Sequence, residues 1–244
     1  MAALAILVVF SGGWLGSAAR VQRTNVPAAT RRPSALHAMS VADDRVRDVT
    51  LSWVERAVVG LNLCPFAEAP LRSGAIRVVV SSATDEMGLL ADTDEQCALL
   101  LDTRKEDVAT TLLVAPNFPL SFLDFQETIG VLEEEEVFGR AFPAHEDKIM
   151  VVCFHPEHAW AGLADDDPVN FEKRSPWPIV NLLRTEMVDS AIATGKTADI
   201  GARNEARLRR EGIAVVREIY ARLFREASSG LGRDAGSQSH SQPS

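Results

Sequence analysis

An imidazole stands where a short β-branched run stops. Ile149 to Phe154 reads as a strand, and His155 follows it directly. In an open α/β sheet the carboxyl ends of strands build the ligand crevice, so His155 is the best-placed general acid or base in the chain. His37 and His240 lie in terminal stretches and His145 in a connection, so none of them competes. Cys153, two residues back, shares the face of His155, because strand side chains alternate. The competing role is a histidine hydrogen-bonded into the following loop to order it. A second group of residues lies downstream: Asn170, Arg174, Ser175, Pro176, Trp177, Pro178 and Arg184. Proline suits the first position of a helix, so this segment predicts a helix starting at Pro178, with Ser175 or Trp177 near its cap. A helix end attracts anions, and a planar guanidinium binds carboxylate or phosphate with two donors. Arg174 beside that end, Ser175, and Arg184 in its second turn are therefore the candidate ligand-binding residues, with Asn170 orienting the substrate. Pro176 and Pro178 lack N–H groups, which leaves recognition mainly to the arginines. Alternatively, Arg174 and Arg184 pair with Asp165, Asp166 or Asp167 and pin the loop to the scaffold.

Cys64 is the candidate nucleophile, conditional on reaching His155. At the end of one helix its thiolate is disfavoured, whereas at the start of another, opened by Pro65, it is activated. The bland role is a small buried hydrophobe in a turn. A redox role lacks a C-x-x-C partner. His155 and His158 with the Asp165–Asp167 run invite a metal reading, but Pro156 discourages a helix that would align the two imidazoles, and no metal is assigned. The cofactor stays unassigned.

The elements that must position these groups emerge from period and punctuation. Val46, Val49, Trp53, Val54, Ala57, Val58 and Leu61 form one helical stripe after a cap at Ser40, and Pro65 ends that helix near Leu61 to Leu63. Ile76 to Ser81, Thr110 to Ala115 and Ile149 to Phe154 predict strands. A helix is expected from Asp85 to Asp102, capped by Thr84, with Met87, Leu90, Asp94, Cys97 and Leu101 along one face. Another opens at Ser121. Strands alternating with helices predict an α/β fold: a small, largely parallel βαβαβ sheet of three strands, with room for a fourth. From His155 to Trp177 no period is visible. A helix from Pro178 to about Thr194 and one from about Asn204 to Ala227 close the domain, the latter burying Ile213, Val216, Ile219, Tyr220, Leu223 and Phe224.

Composition fits one globular domain: 244 residues, 46% apolar and 24% charged. The net charge is −9, and Arg20, Arg23, Arg31 and Arg32 all precede the first acid, Asp43. Without that leader the charge is −13. So acidic a body is repelled by phosphate backbones and anionic membranes, which argues against nucleic-acid and lipid partners, although local basic spots suit a small anion. Residues 1–42 read as a two-part address, an apolar run and then an Arg- and Ser-containing stretch without acids; it points to a plastid reached through the secretory route, with plain secretion as the alternative. Three cysteines make no disulfide framework and suit a reducing compartment. Residues 43–227 form the expected domain, and 228–244 are expected to be disordered.

Trp53-Val54-Glu55-Arg56, Gly60 through Ala67, Phe154-His155-Pro156, Asn170, Arg174 through Pro178 and Leu182-Leu183-Arg184, taken in that order, resemble domain of unknown function (DUF) family 1415. The resemblance implies that Cys64, His155, Asn170, Arg174 and Arg184 belong to the family pattern, and it brings no reaction or cofactor. The family often carries His at the position of Asn181 and Glu at that of Thr185, so a mechanism needing those side chains does not transfer here. The resulting expectation is a small enzyme or binder of an anionic metabolite. Its rival is a non-catalytic interaction or assembly module that uses the aromatic loop 155–177. Nothing in the sequence fixes the oligomeric state.

Overall fold

The computed structural model describes residues 41–230, apart from 119, 120 and 196; the address segment, the cap at Ser40 and the tail from 231 onward lie outside the described residues. The chain runs α1 (Val41–Trp53), a π-helical turn (Val54–Val59), α2 (Glu68–Ser73), β1 (Ile76–Val80), α3 (Glu86–Asp102) and β2 (Thr110–Val114). It continues with α4 (Phe122–Thr128), a 3-10 turn (Gly130–Glu133), α5 (Glu135–Ala141), β3 (Ile149–Phe154) and a second 3-10 turn (Pro168–Glu172). β4 (Ile179–Arg184), α6 (Thr185–Ala193) and α7 (Ile200–Gly230) complete it.

The fold is α/β, with a four-stranded sheet in the order β1-β2-β4-β3. β1 and β2 pair in parallel through α3, while β4 lies antiparallel between β2 and β3. The three strands expected from the sequence therefore run in one direction, but β3 is separated from β2 by β4, so the sheet is mixed. The first half of the helix expected from Pro178 is β4. The reason is burial: β4 is central and covered on both faces, and a run such as Ile179-Val180-Asn181-Leu182-Leu183 gives no period that separates a buried strand from a buried helix.

Two apolar layers flank the sheet. One holds Leu89, Cys97, Leu100, Leu113, Phe125, Ile129, Cys153, Val180 and Leu182 under α3 and α4. The other holds Val46, Val49, Trp53, Val54, Val78, Leu112, Val114 and Ile179 under α1, with Leu223 from α7. The α1 stripe is buried as its spacing requires. That of α3 is rotated from the expected one: Leu89, Thr93, Gln96, Cys97 and Leu100 face inward and Met87 is exposed. Leu99, Leu100 and Leu101 in succession let the helix offer either side, and Asp85 rather than Thr84 caps it through the N–H of Gly88. No helix among the described residues is long and apolar enough to cross a membrane.

Candidate functional site

β3 carries His155 to the end of the sheet beneath α4, and the 155–178 segment folds back over it. The His155 N–H donates to the Lys173 carbonyl at 3.1 Å, and the His158 N–H to the His155 carbonyl at 3.1 Å. Arg174 Nε donates to the His158 carbonyl at 2.8 Å and Nη2 to the Asp165 carbonyl at 2.9 Å, with the guanidinium 4.9 Å from the Phe171 ring centroid. Asn170 Oδ1 accepts the Trp160 N–H at 2.9 Å, while Nδ2 donates to the carbonyls of Ala164 and Asp165. Ser175 donates to the Trp177 carbonyl. His155, Asn170, Arg174 and Ser175 are thus gathered in one region, with Asn170 and Arg174 fastening the loop to itself. The partners of Arg174 are carbonyls rather than the carboxylates of Asp165 to Asp167.

The imidazoles are the unusual part. Glu157 N–H donates to His155 Nδ1 at 3.1 Å, which assigns the proton of the neutral ring to Nε2. That Nε2 is buried and has no partner, and the same holds for His158 Nε2 and Trp160 Nε1. Most buried polar atoms in native proteins are paired, so three orphans in adjoining rings call for an explanation. The ring of Phe122 lies 5.6 Å from that of His155 and 5.0 Å from that of His158; Phe125 is 5.1 Å from His155, and Trp160 is 4.7 Å from His158. Burial pushes His155 down to about 4. His158 is pushed down to about 3 by burial and then by the nearby charges of Lys173 and Arg174 and by His155. Both rings are neutral at pH 7, and positive charges act on His158. Lys173 itself is 4% exposed and bonds both carboxylate oxygens of Glu133, at 2.6 and 2.7 Å.

The other two sequence candidates lie elsewhere. Arg184 ends β4 opposite Ile149, six residues before His155, and so roughly 20 Å down the strand. Its guanidinium donates to the carbonyls of Leu100, Thr103 and Val108 and closes the negative end of α3. Cys64 is on the other face of the sheet, in a hollow of about 30 Å³ with Trp53, Leu63, Phe154, Phe171, Glu172 and Asn204. Burial pushes the thiol up from its ordinary value, against the N–H groups of Phe66 and Ala67, which favour the thiolate. Cys64 and His155 do not meet. Among the described residues no three metal-ligating side chains gather, Asn181 accepts a hydrogen bond from Thr110 within the sheet, and Thr185 opens α6.

Sequence reading passed over Lys173 and Glu133, took Phe122 only as a helix-face residue and Trp160 only as an aromatic of the loop, and weighed His158 only as a metal ligand. The aromatic content of the loop was the one available signal.

A family model described as "Protein of unknown function (DUF1415)" matches residues 45–218. The chain belongs to that family. The matched span includes every residue of the imidazole region and also Cys64 and Arg184. No curated protein and no solved structure matches the chain.

Proposed function

We propose that the domain is a small enzyme or binder acting on a small anionic metabolite, a carboxylate or phosphate, at the His155–His158–Trp160 region. The observation that carries this reading is the set of three buried ring nitrogens without partners, next to Lys173 and Arg174. A ligand oxyanion accepts hydrogen bonds from such nitrogens, and buried donors discriminate strongly against ligands that leave them unpaired. His155, neutral and holding a proton on Nε2, is the group that would pass a proton to or from a bound ligand; His158 is its neighbour in that role. Arg174 shapes the loop and adds positive potential. The rival reading, a protein-binding module, is favoured by outward-facing aromatics, whereas the Trp160 ring packs on His158 and Trp177 on Phe224.

A thermal-shift screen of the full-length protein against small carboxylates and phosphates, repeated with His155→Phe and His158→Phe, tests the proposal. A stabilising ligand should lose its effect in both variants. One that stabilises all three proteins equally places binding elsewhere and removes the imidazoles from the site. Import into a plastid is proposed from the composition of residues 1–42 alone; a fluorescent fusion of that segment that accumulates in the medium would overturn it.

A further inference from the structure

We propose that the Phe122 ring occupies the seat of the ligand, and that the ligand is an aromatic carboxylate. This inference rests on the anionic-ligand reading and narrows it. The three unpaired nitrogens do not face empty solvent: the ring in contact with both imidazoles is a phenyl group, whose rim and faces accept no ordinary hydrogen bond. A well-matched core places either polar partners or apolar neighbours around a group, and here two polar rings abut an apolar one from another element.

That element is lightly held. α4 spans seven residues, of which Phe125 is the buried anchor; Phe122 is half-buried and Leu123 is 70% exposed. The space taken by Phe122 already holds a six-membered ring against His155 and His158. A ligand with such a ring keeps the contacts that Phe122 makes with the two imidazoles, and its carboxylate adds what Phe122 lacks, acceptor oxygens for a buried donor such as His155 Nε2–H. His158 completes the set as a donor when it carries a proton on Nε2. Acetate or inorganic phosphate supplies the oxygens without the ring, so neither replaces the packing that is lost when Phe122 leaves. Phe122 is thus a built-in competitor, and its removal should strengthen binding.

The test monitors the imidazole resonances of His155 and His158 in the full-length protein during titration with benzoate, acetate and inorganic phosphate. Benzoate should bind at least tenfold more tightly than acetate, and Phe122→Ala should tighten benzoate binding several-fold. Phe122→Leu, which keeps most of the volume and loses the ring, should tighten it in the same direction and guards against a misfolded alanine variant. If none of the three anions moves the imidazoles, the anionic-ligand reading itself has failed. If acetate or phosphate binds as well as benzoate, that reading stands and the aromatic assignment is overturned. Unchanged benzoate affinity in both Phe122 variants removes Phe122 from the seat. Binding seen only in Phe122→Ala marks an engineered hole and overturns the proposal too.

Discussion

His155 and His158 are neutral because the protein keeps them so, and acid should therefore loosen it. In the unfolded chain an imidazole takes up its proton near pH 6.5. In the folded state His155 does so at about 4 and His158 at about 3. Between those limits the unfolded state binds more protons, so stability is full above pH 6.5 and falls as the pH drops, by about 1.4 kcal/mol per pH unit for each ring. Denaturant unfolding at pH 7, 6 and 5 reads this slope, and His155→Gln or His158→Gln should flatten it; an unchanged slope in both variants would mean that other groups govern acid sensitivity. Cys64 gives a separate prediction. Its thiol is pushed up by burial, so alkylation should reach half its maximal rate above the free-thiol value of about 8.5. A midpoint near 7 would show an activated thiol and reopen its candidacy as a nucleophile. At this scale the sequence was informative about which residues lie together and poor on what they bond. His155, Asn170, Arg174 and Ser175 do gather, but a guanidinium that completes a turn and one that waits for a ligand have the same letter and the same neighbours.

Among the elements, the π-helical turn after α1 was invisible in the sequence, because the stripe Trp53, Ala57, Leu61 is satisfied by either winding. Gly60 is its one clear mark. A Cβ there would lie 2.3 Å from the Arg56 carbonyl oxygen, and Asn62, two residues on, already takes a left-handed φ of 52°. Gly60→Ala must push backbone apart and should cost about 1–3 kcal/mol in chemical denaturation, as overpacking does. A neutral substitution would mean that the turn rewinds freely. The opposite happened at β4, where Pro178 suggested a helix and the sheet claimed the residues instead; tertiary burial outweighed a local signal. Arg184 is in consequence a strand residue whose guanidinium fills the carbonyl end of α3, so Arg184→Ala should destabilise by about 1–3 kcal/mol by leaving buried carbonyls unpaired. Benzoate or phosphate affinity of the folded fraction should stay as in the wild type, and a selective loss of binding would restore Arg184 to the site.

For the molecule as a whole, one ion pair connects the open edge of the sheet to the site. β3 is an edge strand, and its Cys153 N–H finds no neighbouring strand; it donates instead to Glu133 Oε1 at 2.6 Å, from the 3-10 turn after α4. The same carboxylate holds Lys173, whose carbonyl in turn accepts the His155 N–H. Edge, turn, loop and imidazole are therefore linked through two residues 40 apart in sequence, a separation at which no periodic pattern carries information. Lys173→Met removes the cation and strands a carboxylate that is only 19% exposed, which should cost about 3–5 kcal/mol. Glu133→Gln together with Lys173→Met removes both charges while the Gln carbonyl still receives the Cys153 N–H. The double variant should therefore be more stable than Lys173→Met alone, by a margin that denaturant titration of the two proteins measures directly. If the double variant is the weaker of the two, a carboxylate at position 133 is worth more than a neutral amide even without Lys173, through its bond to the Cys153 N–H. If Lys173→Met matches the wild type, the ion pair between the sheet edge and the loop over His155 carries no energy, and the imidazoles are held by backbone hydrogen bonds and ring packing.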